Sequence, residues 1–197
     1  MRSDATPTAG SVQVFAFSVD NWQRPAAEVR ILLELMARVL QTELPQLQRA
    51  GVRLHVLGDL SRLPASFRAQ LQRAVEATAG NSTLQLSVAI SYSGRASLVV
   101  AARSLAAAAA AGELDAACID AAAVAAALGT AHLPPQLREP DLLVRTSGER
   151  RLSDFLLWEL AYTELYFTHV HWPAFGAAEL AAALQDYAGR SRRFGTH

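Results

Sequence analysis

The chain contains no lysine. All 18 of its basic residues are arginine, and 18 acidic residues balance them to a formal net charge of zero. That balance argues against a broad nucleic-acid surface or an anionic-membrane surface, since both partners usually need a basic excess. With arginine used throughout, an isolated arginine says little, and only those fixed in a pattern carry weight. Cysteine is nearly absent as well. Cys118 stands alone, which excludes an internal disulfide framework and a cysteine-rich zinc site. Its alanine-rich surroundings predict a small buried residue within a helix. No apolar run reaches the roughly 18 residues of a membrane-spanning helix. The polar opening Met1–Ser11, with Arg2 and Asp4, does not read as a secretory signal. These absences point to a soluble protein of a reducing compartment, cytoplasmic or organellar, with no transmembrane segment and no nucleic-acid partner.

What the sequence does have is core material. Its 197 residues are 51% hydrophobic, enough for one globular domain. Val12–Ser18 reads as a strand. Val29, Leu32, Leu33, Met36, Val39, Leu40, Leu44 and Leu47 then recur at helical spacing behind Pro25, which suits a helix start. Val52–Leu57, Leu84–Ile90, Leu142–Arg145 and Leu165–Phe167 read as further strands. Pro64–Thr78, Ala96–Ala111 after a break at Gly94, Ile119–Leu128, Phe155–Tyr162 and Ala177–Arg190 read as helical. Strands alternating with helices predict an α/β fold with a single, mostly parallel sheet flanked by helices. There is no internal repeat and no interdomain linker.

Three stretches combine residue types that carry chemistry. Arg145-Thr-Ser-Gly-Glu-Arg-Arg-Leu-Ser153 follows a strand, and in α/β sheets the loops at carboxyl ends of strands bind ligands. Arg145 and Arg151 offer forked donors and Ser153 a hydroxyl for a phosphate group, while Gly148 permits a close backbone turn. The plainer alternative is a solvated loop with a helix cap at Ser153 or Asp154. Phe17-Ser-Val-Asp-Asn-Trp-Gln-Arg-Pro25 supplies a polar handle in Asn21, an aromatic plate in Trp22 and a cation in Arg24. Its alternative is a capping turn with Trp22 as a hydrophobic staple. Glu164, among aromatic and aliphatic residues, is either paired with an arginine or a ligand for a hard metal ion. His169 and His171 alternate as on a strand and make a poor metal pair. His55 and His132 are isolated. The chain has no P-loop and no Gly-x-Gly-x-x-Gly.

Taken in order, Ala16–Pro25, Gly58-Asp-Leu-Ser-Arg-Leu63, Thr78-Ala-Gly-Asn81, Tyr92-Ser-Gly-Arg95, Asp141–Phe155, Glu164-Leu-Tyr-Phe167 and Arg192-Arg-Phe-Gly195 closely resemble the cis-prenyltransferases. That family includes undecaprenyl and dehydrodolichyl diphosphate synthases. The likeness covers residues 12–195 as one domain, with 1–11 irregular. It implies condensation of isopentenyl diphosphate onto an allylic diphosphate such as farnesyl diphosphate, with Mg²⁺, to give a Z-polyprenyl diphosphate. It further implies that Arg145, Arg151, Leu152 and Ser153 hold isopentenyl diphosphate. Phe17, Ser18, Asp20, Trp22 and Arg24 then lie beside the reacting groups, Asn21 assists proton removal, and Glu164 binds the metal near a subunit contact. A homodimer, or a heterodimer with a related chain, is expected. Such chemistry needs cations for the leaving charge and an apolar tunnel. The apolar face from Val29 to Leu47 and the strand Leu84–Ile90 suit either that tunnel or plain core.

The sequence also departs from the family pattern. Family chains normally begin with a strand and a His-x-x-Met-Asp-Gly-Asn-x-Arg-x-Ala loop, whose aspartate binds Mg²⁺. Eleven residues precede the strand at Val12 here and none of them match, so the family's first strand and helix are expected to be missing from this N-terminally truncated domain. Residues 1–197 alone are expected to turn over poorly, and an upstream segment carrying the aspartate loop to restore turnover. Asp154 stands where asparagine is usual, and Arg150 where histidine often lies. A non-catalytic partner subunit, an inactive fragment that binds diphosphate and a generic phosphate-binding domain are the alternatives.

Overall fold

The computed structural model describes residues 10–191, which fall into two compact units, 10–138 and 139–191. Residues 1–9 of the expected irregular opening, and the Arg192-Arg-Phe-Gly195 segment, lie outside the described residues.

The first unit is built on three parallel strands. β1 (Ser11–Ser18) leads through a 3-10 turn into α1 (Ala26–Arg49), followed by β2 (Val52–Leu57), α2 (Ala65–Ala77) and β3 (Leu84–Tyr92). β3 is central and pairs in parallel with both β1 and β2, as helical crossovers require. Phe17, Val29, Leu33, Leu63, Phe67, Leu71 and Ile90 form the core between this sheet and the two helices. α1 divides its apolar residues. Val29 and Leu33 are buried, whereas Ile31, Leu35 and Val39, one helical turn apart, stay 60%, 48% and 51% exposed.

The Thr78–Asn81 segment closes α2 against β2. Thr78, fully buried, accepts the Leu54 N–H at 3.0 Å and donates to the Ala74 carbonyl at 2.9 Å. Asn81 Nδ2 donates to the Val52 carbonyl at 2.8 Å. One threonine and one asparagine thus pair backbone groups that burial would otherwise leave costly.

Two helices correct the sequence reading. α3 (Gly94–Ala110) starts at the glycine expected to break the chain, because Ser93 caps it by accepting the Ala96 N–H at 3.0 Å. α4 (Ala121–Ala127) is capped by Asp120, which accepts the Ala123 N–H at 2.8 Å. The helix therefore begins after Cys118, which lies in a preceding 3-10 turn and is exposed rather than buried.

The second unit holds β4 (Leu142–Arg145), β5 (Glu164–Phe167) and α5 (Ala177–Ala188), with β4 and β5 parallel. Phe155–Tyr162 is a run of turns, not a helix. Ser153, Asp154 and Leu156 have φ of 53°, 63° and 46°, a left-handed backbone that cannot propagate a right-handed helix. β5 ends at Phe167, so His169 and His171 are not on a strand. The chain instead folds back on the loop after β4, with the Ser147 N–H donating to Val170 O at 2.9 Å and the Gly148 N–H to Thr168 O at 2.8 Å.

The α/β class holds throughout: the sheet is mostly parallel and flanked by helices. Its strands hydrogen-bond in two groups, three and two, where the hydrophobic pattern had suggested one. Side-chain alternation reports which face is buried, not which strands share a ladder. Among the described residues no helix is long and apolar enough to cross a membrane.

Candidate active site

The turn after β1 is a reciprocal cap. The Asn21 N–H donates to Ser18 Oγ at 3.2 Å, and the Ser18 N–H donates to Asn21 Oδ1 at 2.9 Å. Asn21 therefore has its amide oxygen committed to backbone. Asp20 is exposed in the same turn. Arg24 is half exposed and donates to Glu28 at 2.8 Å.

Trp22 is held from several directions. Its indole N–H donates to Ser91 Oγ at 2.9 Å, and buried Phe17 meets the ring edge-to-face at 5.2 Å. The Arg62 guanidinium lies 4.5 Å from the ring centroid. Arg62 ends a 3-10 turn (Leu60–Arg62) capped by Asp59. Hydrogen bonds from Ser61 hold the Asp59 carboxyl below its ordinary value, and the Arg62 charge adds to them. That contribution to stability is present at neutral pH and is lost as pH falls through the lowered value.

In the second unit, Arg145 ends β4 and its Nη2 donates to Ser153 Oγ at 3.1 Å. The loop between them is unusual in its backbone. Ser147, Gly148, Ser153, Asp154 and Leu156 all have positive φ, a conformation that clusters where a site demands it. At Gly148 (φ 72°) the left-handed backbone favours glycine, and a Cβ would stand 2.9 Å from His169 Nδ1, a side-chain atom that would have to shift. Arg151, two-thirds exposed, pairs with Glu149. Leu152 is partly buried and its carbonyl accepts the Phe155 N–H at 3.3 Å. The helix cap offered as the plainer reading of Ser153 or Asp154 has no helix to serve.

Glu164 is paired with an arginine. Its Oε2 accepts from Arg190 Nη1 at 2.8 Å, both side chains about one-third exposed. Arg190 also pairs with Asp186, and hydrogen bonding to Glu164 raises its pKa further above the ordinary value. Among the described residues no group of three or more His, Cys, Asp or Glu could hold a metal ion. The chain itself thus offers one carboxylate here, and that carboxylate is paired with an arginine.

Comparison with known proteins decides what this arrangement belongs to. Residues 8–195 match the prenyltransferase family model, described as undecaprenyl diphosphate synthase. The chain belongs to that family of cis-prenyltransferases. The prenyltransferase is 48% identical over 185 residues to a ditrans,polycis-undecaprenyl-diphosphate synthase of Xanthomonas axonopodis, covering 94% of its own length and 70% of that protein. It is 46% identical to a chloroplastic dehydrodolichyl diphosphate synthase of Solanum lycopersicum, covering 94% of itself and 58% of the relative. The crystal structure of lavandulyl diphosphate synthase from Lavandula x intermedia, in complex with dimethylallyl diphosphate, superposes with a TM-score of 0.90. The two are 34% identical, over 94% of the prenyltransferase and 79% of that chain.

Sequence reasoning about the prenyltransferase missed Ser91 and singled out no role for Arg62. Neither lies near Trp22 in the chain. The parallel pairing of β3 with both β1 and β2 brings the carboxyl ends of the three strands side by side, and no local pattern encodes that.

Proposed function

We propose that this transferase condenses isopentenyl diphosphate with an allylic diphosphate of the farnesyl type and releases a Z-polyprenyl diphosphate. The observation that carries this reading is the loop after β4, where Arg145 and Ser153 converge on a backbone held at positive φ. A guanidinium fork with a hydroxyl beside it matches a diphosphate in charge and geometry. The complex of the lavender relative with dimethylallyl diphosphate supports an allylic co-substrate. The exposed stripe Ile31, Leu35 and Val39 on α1 offers the prenyl chain an apolar wall. Asn21, its oxygen committed to Ser18, orients its amide NH₂ toward substrate. Trp22 lies beside the reacting groups, with Phe17 behind it.

Mg²⁺ would be held by Glu164, and when bound it supplies charge neutralisation for the diphosphate. Arg190 engages Oε2 of this carboxylate, so Oε1 would be the oxygen that serves the ion. Glu164→Gln keeps a hydrogen-bonding partner for Arg190 but removes the charge, and is expected to lower Mg²⁺-dependent elongation by about a hundredfold or more. The measurement, in protein extended upstream with the family's aspartate loop, is incorporation of labelled isopentenyl diphosphate onto farnesyl diphosphate across a Mg²⁺ titration. An unchanged rate would remove Glu164 from the metal site.

The proposal includes a dimer, a homodimer or a pairing with a related chain. Tyr162, Leu165 and Phe167 are 83%, 39% and 37% exposed around β5, an apolar group that a subunit contact would cover. Light scattering at micromolar concentration is expected to report twice the chain mass. A clean monomer, alone and mixed with a related chain, would remove this element.

A further inference from the structure

We infer that Arg62 is a positioning residue for the Trp22 indole, holding it in one orientation with Ser91 as the second support. The inference rests on Trp22 facing substrate, as proposed above. A tryptophan on an exposed turn has two free torsions, so a ring that must present one surface needs supports on several sides. Phe17 supplies one, edge-to-face at 5.2 Å. Ser91 supplies another, accepting the indole N–H at 2.9 Å. Ser91 is only 2% exposed and has φ of 53°, and its own carbonyl accepts the Asp59 N–H at 3.1 Å. The same residue thus fixes the ring and the start of the turn that carries Arg62.

Arg62 lies 4.5 Å from the ring centroid, inside the roughly 6 Å range of a cation–π contact. Among the described residues it makes no ion pair within 4.0 Å. Arg24, the nearer cation in sequence, is instead tied to Glu28. Asp59 accepts from the Ser61 N–H at 2.9 Å, capping the turn rather than pairing with Arg62. The guanidinium is thus placed by its turn and directed to the indole. With a permanent cation already on one π face, the ring serves substrate as a fixed wall on its other surfaces.

The test compares Arg62→Leu, Arg62→Lys, Trp22→Ala and the double variant Trp22→Ala/Arg62→Leu. Steady-state kcat/KM is measured for isopentenyl diphosphate with farnesyl diphosphate as co-substrate, in protein extended upstream with the family's aspartate loop. Arg62→Leu is expected to lose about tenfold, Arg62→Lys to recover most of it, and the double variant to match Trp22→Ala alone. Losses that multiply in the double variant would overturn the inference, since Arg62 would then act independently of the ring. A second readout needs no substrate. In protein carrying 5-fluorotryptophan, Arg62→Leu is expected to shift or broaden the Trp22 resonance, assigned with Trp22→Phe, and to leave Trp158 and Trp172 in place. An unmoved Trp22 resonance also overturns the inference. If Trp22→Ala leaves kcat/KM intact, the substrate-facing role of Trp22 fails, and the fluorine lines still decide whether Arg62 holds the ring.

Discussion

Gly58→Ala is expected to destabilise the fold by about 3–5 kcal/mol, combining overpacking with left-handed backbone strain. The glycine ends β2 with φ of 121°. A Cβ there would stand 2.1 Å from the Ile90 carbonyl oxygen, 3.0 Å from its carbon and 3.2 Å from the Ser91 carbonyl carbon. All three are backbone atoms of the central strand β3, so no side chain can rotate away. The relief must come from pulling β2 and β3 apart at the ends that present Arg62 and Ser91 to Trp22. Urea denaturation of the variant against the parent gives the stability change directly. A loss below about 1 kcal/mol, within the range of an ordinary surface substitution, would mean the two strand ends are not so close.

Arg145→Ala is expected to weaken isopentenyl diphosphate binding by about ten- to a hundredfold, the range of one charge-assisted contact worth roughly 1.5–3 kcal/mol. The backbone of β4 pairs with β5 independently of this side chain, so the strand should survive the change. Arg145→Lys keeps the charge but loses the planar fork, and is expected to recover only part of the affinity. Arg151→Ala should cost less, because Arg151 is two-thirds exposed and already engaged by Glu149. Calorimetric titration with isopentenyl diphosphate separates the three. Parental affinity in Arg145→Ala would show that the diphosphate is held elsewhere.

The strands were legible because their apolar residues cluster between turn residues. β2 matches its sequence reading at both ends, while β3 runs two residues further, into Ser91 and Tyr92. Those two escaped because a serine at a strand end looks like the start of a loop. Helix starts depended on capping side chains: Ser93 and Asp120 overrode the glycine and the alanine run that were given more weight. Of the two readings offered for Glu164, the arginine pair is the one present. Its arginine was not identifiable, because Arg190 reaches it only through the return of α5 to β5. The turns at 153–156 were invisible for a different reason: apolar Phe155, Leu156 and Leu160 are spaced as in a helix, and nothing in their identity announces a left-handed backbone.

Five residues at positive φ between Ser147 and Leu156 also bear on the timing of binding. Leu156 is fully buried and Phe155 nearly so, so packing beneath this end of the loop helps to fix its shape. A segment already ordered loses little conformational entropy on capture. If this loop takes the diphosphate as proposed, little closure is needed and association is expected to follow diffusion of the anion toward the loop's guanidinium groups. The on-rate of a diphosphate should therefore fall steeply with ionic strength, while its off-rate tracks the short-range contacts of Arg145 and Ser153.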